Sequence, residues 1–191
     1  MRTDEELLQM YYEGSHDAFK DIFQRRKTEV FNFALRFLGN RADAEDVTSD
    51  VFLQLFSKKY TADGSARLST WLFTVARNAS ISRLRSQKFQ VSFWSKSQNG
   101  NEYEAWEPAD TAELTPELMK KKEEAALVQK AISALPEEQR EAIILREYHE
   151  KNYAEISEIL GCSLEKTKIL IFRARETLRV ELAQFIKGGQ I

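Results

Sequence analysis

Lys166, Lys168, Arg173, Arg175 and Arg179 crowd one segment near the C-terminus, set against Glu165, Glu176 and Glu181. Apolar residues at helical spacing place them on one helix. Long cationic side chains on such a helix can meet phosphates beside a DNA major groove while its N-terminus faces base edges. The preceding residues support that chemistry. Tyr153–Leu160 reads as a short helix, Gly161 supplies the backbone freedom of a tight turn, and Ser163 can cap the basic helix. Ile156, Ile159 and Leu160 are expected inside, Leu164 and Thr167 across the turn, and Ala154 where the two helices approach. Together these make a helix-turn-helix. A helical pair with a solvated charged face is the plainer alternative; the coincidence of turn glycine, cap and cations favours DNA. Ser163, Glu165, Lys166, Lys168, Arg173 and Arg175 are the candidate contacts.

Two further constellations lie in the first half. Asp43, Asp46 and Asp50 are spaced i, i+3 and i+7 and share a helix face, with Ser49, Leu53 and Gln54 beside them. The opposite side is an apolar stripe of Ala44, Val47, Val51, Phe52, Leu55 and Phe56. Aspartates fixed along a rigid helix do not converge easily on one cation. That leaves a solvated acidic face or a docking face for a basic partner. Leu53 among the acids favours docking, because an exposed apolar residue in a polar rim resembles an interface anchor. On the next helix Asn78, Ser82 and Arg85 share a face, with Arg77, Arg83 and Lys88 adding positive charge. Such a surface can hold a single strand by its phosphates while Asn78 and Ser82 read an exposed base. Leu72, Val75, Ala76 and Ala79 are expected to pack inward, with Trp71 and Phe73.

Little in the chain supports catalysis. Two histidines and one cysteine leave little for a zinc site, and Cys162 excludes an internal disulfide, which fits a reducing cytoplasm. Glu-x-x-His occurs only at Glu13–His16, across Gly14, so a carboxylate-bridged metal centre is not expected. The expectation is a non-enzyme with no cofactor, no metal and no membrane insertion, since no run approaches the ~20 apolar residues of a span. Net charge is −2, but DNA senses the local field rather than the average.

The elements that must position these residues are all helical, because apolar residues recur at helical spacing and glycine and proline are scarce. Thr3 with Glu6 forms a capping box for a helix to Tyr12. Ser15 caps a helix to Leu38, which Gly39 closes. Helices are expected over Ala42–Lys58 and, capped by Ser69, over Thr70–Gln87, with a polar loop Tyr60–Arg67 between them. Lys96–Glu117 is acidic and interrupted by proline and glycine, a flexible linker. Helices resume over Pro116–Ala134, from Pro136 as a first helical residue to Tyr148, and from Leu164 to Ile186. The expected organisation is all-α: an N-terminal helical domain 1–90, an acidic linker 91–116, and a C-terminal helix-turn-helix domain 117–191.

Five blocks in order resemble the extracytoplasmic-function group of sigma-70 family sigma factors of bacterial RNA polymerase. They are Ala44-Glu45-Asp46-Val47 through Phe56, Ser69-Thr70-Trp71-Leu72 through Asn78, Leu135-Pro136-Glu137 with Arg140-Glu141, Tyr153-Ala154-Glu155-Ile156, and Arg173-Ala174-Arg175 with Leu178-Arg179. The resemblance spans nearly the whole chain. It implies a promoter-recognition factor whose partners are the polymerase core enzyme, double-stranded promoter DNA and the melted −10 strand, with an anti-sigma factor as regulator. Asp43, Asp46, Ser49, Asp50, Leu53 and Gln54 would then dock on core, Arg77, Asn78, Ser82 and Arg85 on the −10 element, and the helix-turn-helix on the −35 element. The linker would run toward the active-centre and RNA-exit region. Two positions depart from the family pattern. Ser82 stands where an aspartate is common, and Glu165-Lys-Thr-Lys-Ile-Leu replaces a more polar run, keeping only Lys168. A conventional helix-turn-helix regulator with an N-terminal sensor domain is the alternative reading.

Overall fold

The structure, a computed structural model, describes residues 2–57, 60, 67–94 and 116–187. The described residues form helices α1 (Asp4–Tyr12), α2 (His16–Leu38), α3 (Arg41–Phe56), α4 (Leu68–Trp94), α5 (Pro116–Ala134), α6 (Glu137–Glu147), α7 (Tyr153–Leu160) and α8 (Leu164–Lys187). Two compact units divide the chain: the first is Met1–Leu38 with Ala42–Gly100, the second chiefly Asn101–Ile191. The acidic stretch expected as a linker lies outside the described residues from 95 to 115.

In the first unit, α1 starts at the expected capping box, with Glu6 N–H donating to Thr3 Oγ1 and Thr3 N–H donating to the Glu6 carboxylate. Asp4, nearly buried, receives Arg26 at 2.6 Å and so ties α1 to α2. Phe33 of α2 is fully buried beside Phe37 and meets Phe73 of α4 edge-on at 5.6 Å. Ala44, Val47, Val51 and Leu55 of α3 are fully buried, so the apolar stripe read from the sequence faces the core. Phe56 departs from that stripe. It is 49% exposed, although its ring still touches Phe19 at 5.3 Å.

α4 differs from expectation at both ends. It begins at Leu68, so Ser69 lies inside the first turn instead of capping it; Leu68 is fully buried, which draws the helix start one residue into the core. It also continues past Gln87 to Trp94, and the residues between contain no glycine or proline to stop it. Leu72, Phe73 and Ala76 are buried, whereas Trp71, Val75 and Ala79 are only half-buried.

In the second unit α5, α6 and α7 all pack on α8. Pro136 is the N-cap of α6, not its first helical residue, with φ −52° and ψ 143°. α7 carries a capping box of its own, Asn152 with Glu155, a pattern present in the sequence but not part of the expected elements. Ile156 and Ile159 of α7 and Thr167, Ile171 and Ala174 of α8 are buried in this unit, in which α7 packs on α8. Ala154 is exposed and Leu164 is 38% exposed, so neither is buried at the contact expected for it.

Gly161 joins α7 to α8 with φ 62° and ψ 40°. A Cβ there would meet nothing within 4 Å, so a side chain costs only backbone strain. Gly161→Ala is expected to destabilise the second unit by about 1 kcal/mol, with Gly161→Asn costing less, since asparagine tolerates this conformation better. Urea denaturation of the two variants against the parent checks it, and an unchanged midpoint for the alanine variant would contradict it.

Candidate nucleic-acid interfaces and docking face

On α3, Asp46, Asp50 and Leu53 follow one line along the surface, flanked by Ser49 on one side and Asp43 and Gln54 on the other. Leu53 is 60% exposed, an apolar side chain standing in water among carboxylates. Phe56 extends the same surface by one turn, so the apolar part of this face is larger than the spacing of α3 alone indicates. Ser49 Oγ donates to Glu45 O at 2.9 Å, spending its proton on its own helix.

Arg83 of α4 reaches this acidic edge. Its guanidinium donates to Asp43 at 2.9 Å and to Asp46 at 2.7 Å. Burial opposes its charge, but the hydrogen bonds and fields of the two aspartates outweigh that and hold its pKa above the ordinary arginine value. The Asp43 side chain is only 14% exposed under this fork, whereas that of Asp46 is 61% exposed. Asp43 therefore positions Arg83, and Asp46, Ser49, Asp50 and Leu53 remain exposed. Arg83, read from sequence as part of a basic strand-binding surface, is here largely engaged with α3. A partly exposed pair of this kind contributes on the order of 0.2–1 kcal/mol.

The other side of α4 carries Asn78, Ser82 and Arg85, all exposed. Arg77 is half-buried and donates to Asn78 Oδ1 at 3.3 Å, which leaves the Asn78 amide NH2 directed to its surroundings. Helical spacing puts half-buried Trp71 on the same line, two turns before Asn78, with its ring against Tyr60 at 5.5 Å. The sequence reading assigns Trp71 to the core; its place on this line gives the surface an aromatic face on which a base can stack.

In the helix-turn-helix, Ser163 Oγ accepts from Lys166 N–H at 3.2 Å, so this hydroxyl is the N-cap of α8. Lys166 Nζ pairs with Glu138 at 2.7 Å and Arg175 with Glu147 at 2.7 Å. The hydrogen bond that Arg175 donates to the Glu147 carboxylate is the main reason its pKa is raised. Lys168 and Arg173 are exposed and have no ion pair among the described residues, which leaves them the readiest to meet phosphate. Glu165 is exposed in the first turn. Cys162 is half-buried, its Sγ 3.4 Å from Thr167 Oγ1.

Comparison with known proteins finds a matching family region in each half of the chain. The family model for sigma-70 region 2 matches residues 22–90, covering most of α2 with α3 and α4, and that for sigma-70 region 4 matches residues 125–178. These matches define the class, a sigma-70 type of transcription initiation protein with one region in each unit. The chain is 30% identical over 171 residues to the ECF RNA polymerase sigma factor SigW of Bacillus subtilis, covering 88% of this chain and 91% of that protein. It is 28% identical over 188 residues to the ECF RNA polymerase sigma-E factor of Escherichia coli, covering 97% of each. Among solved structures it resembles the sigma factor RpoE of Bartonella quintana, crystallised with the anti-sigma factor NepR. The TM-score is 0.69 at 26% identity, over 86% of this chain and 96% of that one. CnrH, solved with the cytosolic domain of CnrY, shares the fold with a TM-score of 0.67 at 20% identity, over 95% of this chain and 97% of that one. The chain belongs to the ECF group of RNA polymerase sigma factors. Among the described residues no helix is long and apolar enough to cross a membrane.

Proposed function

We propose that this sigma factor works in the cytoplasm, without catalysis of its own, as three separate grips. Domain 1–90 docks on core polymerase through Asp46, Asp50, Leu53 and Gln54 of α3, with Asp43 and Ser49 at the edge. It holds and reads the melted −10 strand through Arg77, Asn78, Ser82 and Arg85 of α4. Domain 117–191 places α8 on the −35 element, with Ser163, Glu165, Lys166, Lys168, Arg173 and Arg175 at the DNA, and the acidic segment between α4 and α5 links the two. The observation that carries this reading is the pairing on adjacent helices of an acidic face bearing exposed Leu53 with a polar line bearing Asn78 and Arg85. A regulator that only binds duplex DNA needs neither. An anti-sigma factor, as found with the structural relative RpoE, is the expected regulator. Its binding would compete with core for exposed surface.

Co-purification with core polymerase followed by run-off transcription tests the whole. Absence of core binding would overturn it, and tight operator binding by the protein alone would favour a conventional regulator. Asn78→Ala is expected to reduce open-complex formation by about tenfold, within the ~1–3 kcal/mol of a lost base contact, while core binding stays unchanged. Permanganate footprinting of the −10 region reads it; an unaltered footprint would remove Asn78 from the strand.

A further inference from the structure

The solvent side of α8 is not uniformly polar. Helical spacing puts Glu165, Ile169, Phe172 and Glu176 on one line, opposite buried Thr167, Leu170, Ile171 and Ala174. Ile169 is 50% exposed and Phe172 66% exposed. Lys168 and Arg179 flank this line on one side, Lys166 and Arg173 on the other. Ile169 has no hydrogen-bonding atom in its side chain, yet it occupies the centre of a helix face whose edges are cationic.

Two large apolar side chains kept in water contribute little to the fold and mark a contact surface. The flanking cations select what the surface meets, since phosphates run along both edges of a major groove. Between those phosphates, the apolar group that a groove offers is the C5 methyl of thymine. We propose that Ile169 and Phe172 are specificity-determining residues that read thymine methyls in the −35 element. This rests on the reading of α8 as the −35 recognition helix. The discrimination differs in kind from that of a serine or arginine at the same place. It is made by burial of a methyl and not by a hydrogen bond, so it separates thymine from uracil, whose hydrogen-bonding edges are alike.

That difference gives the test. Holoenzyme reconstituted from the full chain and core polymerase selects its preferred promoters from a pool randomised over the −35 element. Each selected thymine, on either strand, is then replaced by deoxyuridine, which deletes only the methyl. The expected result is a weakening of promoter binding by about fourfold at each of two positions, the factor for burying one methyl-sized group. Ile169→Ala and Phe172→Ala should each abolish the uracil penalty at one position, with the other penalty intact. Circular dichroism confirms the fold of both variants. The proposal is overturned if the selected element lacks thymine, if uracil is tolerated throughout, or if both variants keep every penalty. It is also overturned if the variants bind promoters normally but lose an anti-sigma protein, which would make this face a protein contact. Core binding without any promoter preference would overturn the sigma-factor reading itself, and this inference with it.

Discussion

Leu53→Asp is expected to weaken binding to core polymerase by at least about 30-fold, with the chain still folded. The side chain is 60% exposed on α3, so its replacement leaves no hole in the first unit, whose buried α3 residues are Ala44, Val47, Val51, Phe52 and Leu55. In the complex the effect is large for two reasons. Full burial of a leucine contributes about 1.5–3 kcal/mol, which is lost. A carboxylate in its place, beside Asp46 and Asp50, is then desolvated without a partner. Interface energy concentrates in a few central anchors surrounded by near-neutral polar contacts, and here the geometry offers Leu53 as the anchor with Ser49 and Gln54 around it. Fluorescence anisotropy with labelled protein and core enzyme measures the change, and Ser49→Ala, expected to move affinity by less than about threefold, serves as comparison. An affinity within threefold of the parent for Leu53→Asp would take α3 out of the docking surface.

The second large effect is on stability. Phe33→Ala is expected to cost the first unit about 3–5 kcal/mol, the range for a fully buried aromatic. Phe33 has no exposed surface and touches Phe37 and Phe73, so it links α2 to α4 at the centre of the unit. Collapse around the gap is limited because these neighbours are themselves buried and held by helices on two sides. Against a typical stability of about 5–15 kcal/mol for a domain, the loss is a large fraction of the whole. Hydrogen exchange read by mass spectrometry on peptides of α2 and α4 should show protection lowered by about two to four orders of magnitude, since 1.36 kcal/mol is tenfold. Peptides from α6 to α8 provide the internal reference. Unchanged protection in α2 would show that Phe33 is dispensable. The faces of α3 and α4 proposed for docking and strand binding belong to this same unit, so both are expected to open more often in the variant.

The local signals in the chain were legible because they act over a few residues. The Thr3–Glu6 capping box, the Gly161 turn and the Ser163 cap each rest on hydrogen bonds or backbone angles within one turn, and each stands where its residues are written. The acidic line of α3 and the Asn78–Ser82–Arg85 line of α4 follow from helical period alone. The resemblance of five ordered blocks was enough for the family, and the comparisons agree with it. The Asn152–Glu155 box is equally local, its two residues three positions apart.

Other features depended on which helix covers which face. Arg83 lies 40 positions from Asp43 and 37 from Asp46, and no spacing within α4 distinguishes it from Arg85, which stays exposed. Period predicts that Phe56 joins the core stripe, but among the described residues nothing covers the last turn of α3 completely, and Phe56 is 49% exposed. In α8 the run Ile169-Leu170-Ile171-Phe172 offers apolar residues nearly all round the helix; α6 and α7 cover one side and thereby decide that Leu170 and Ile171 are core while Ile169 and Phe172 face solvent. The sequence by itself determined the helices, some of their caps and the family. Only tertiary packing decided which cations were already spent on carboxylates and which apolar side chains were left outside, because burial and ion pairing are properties of the neighbour that arrives from far along the chain.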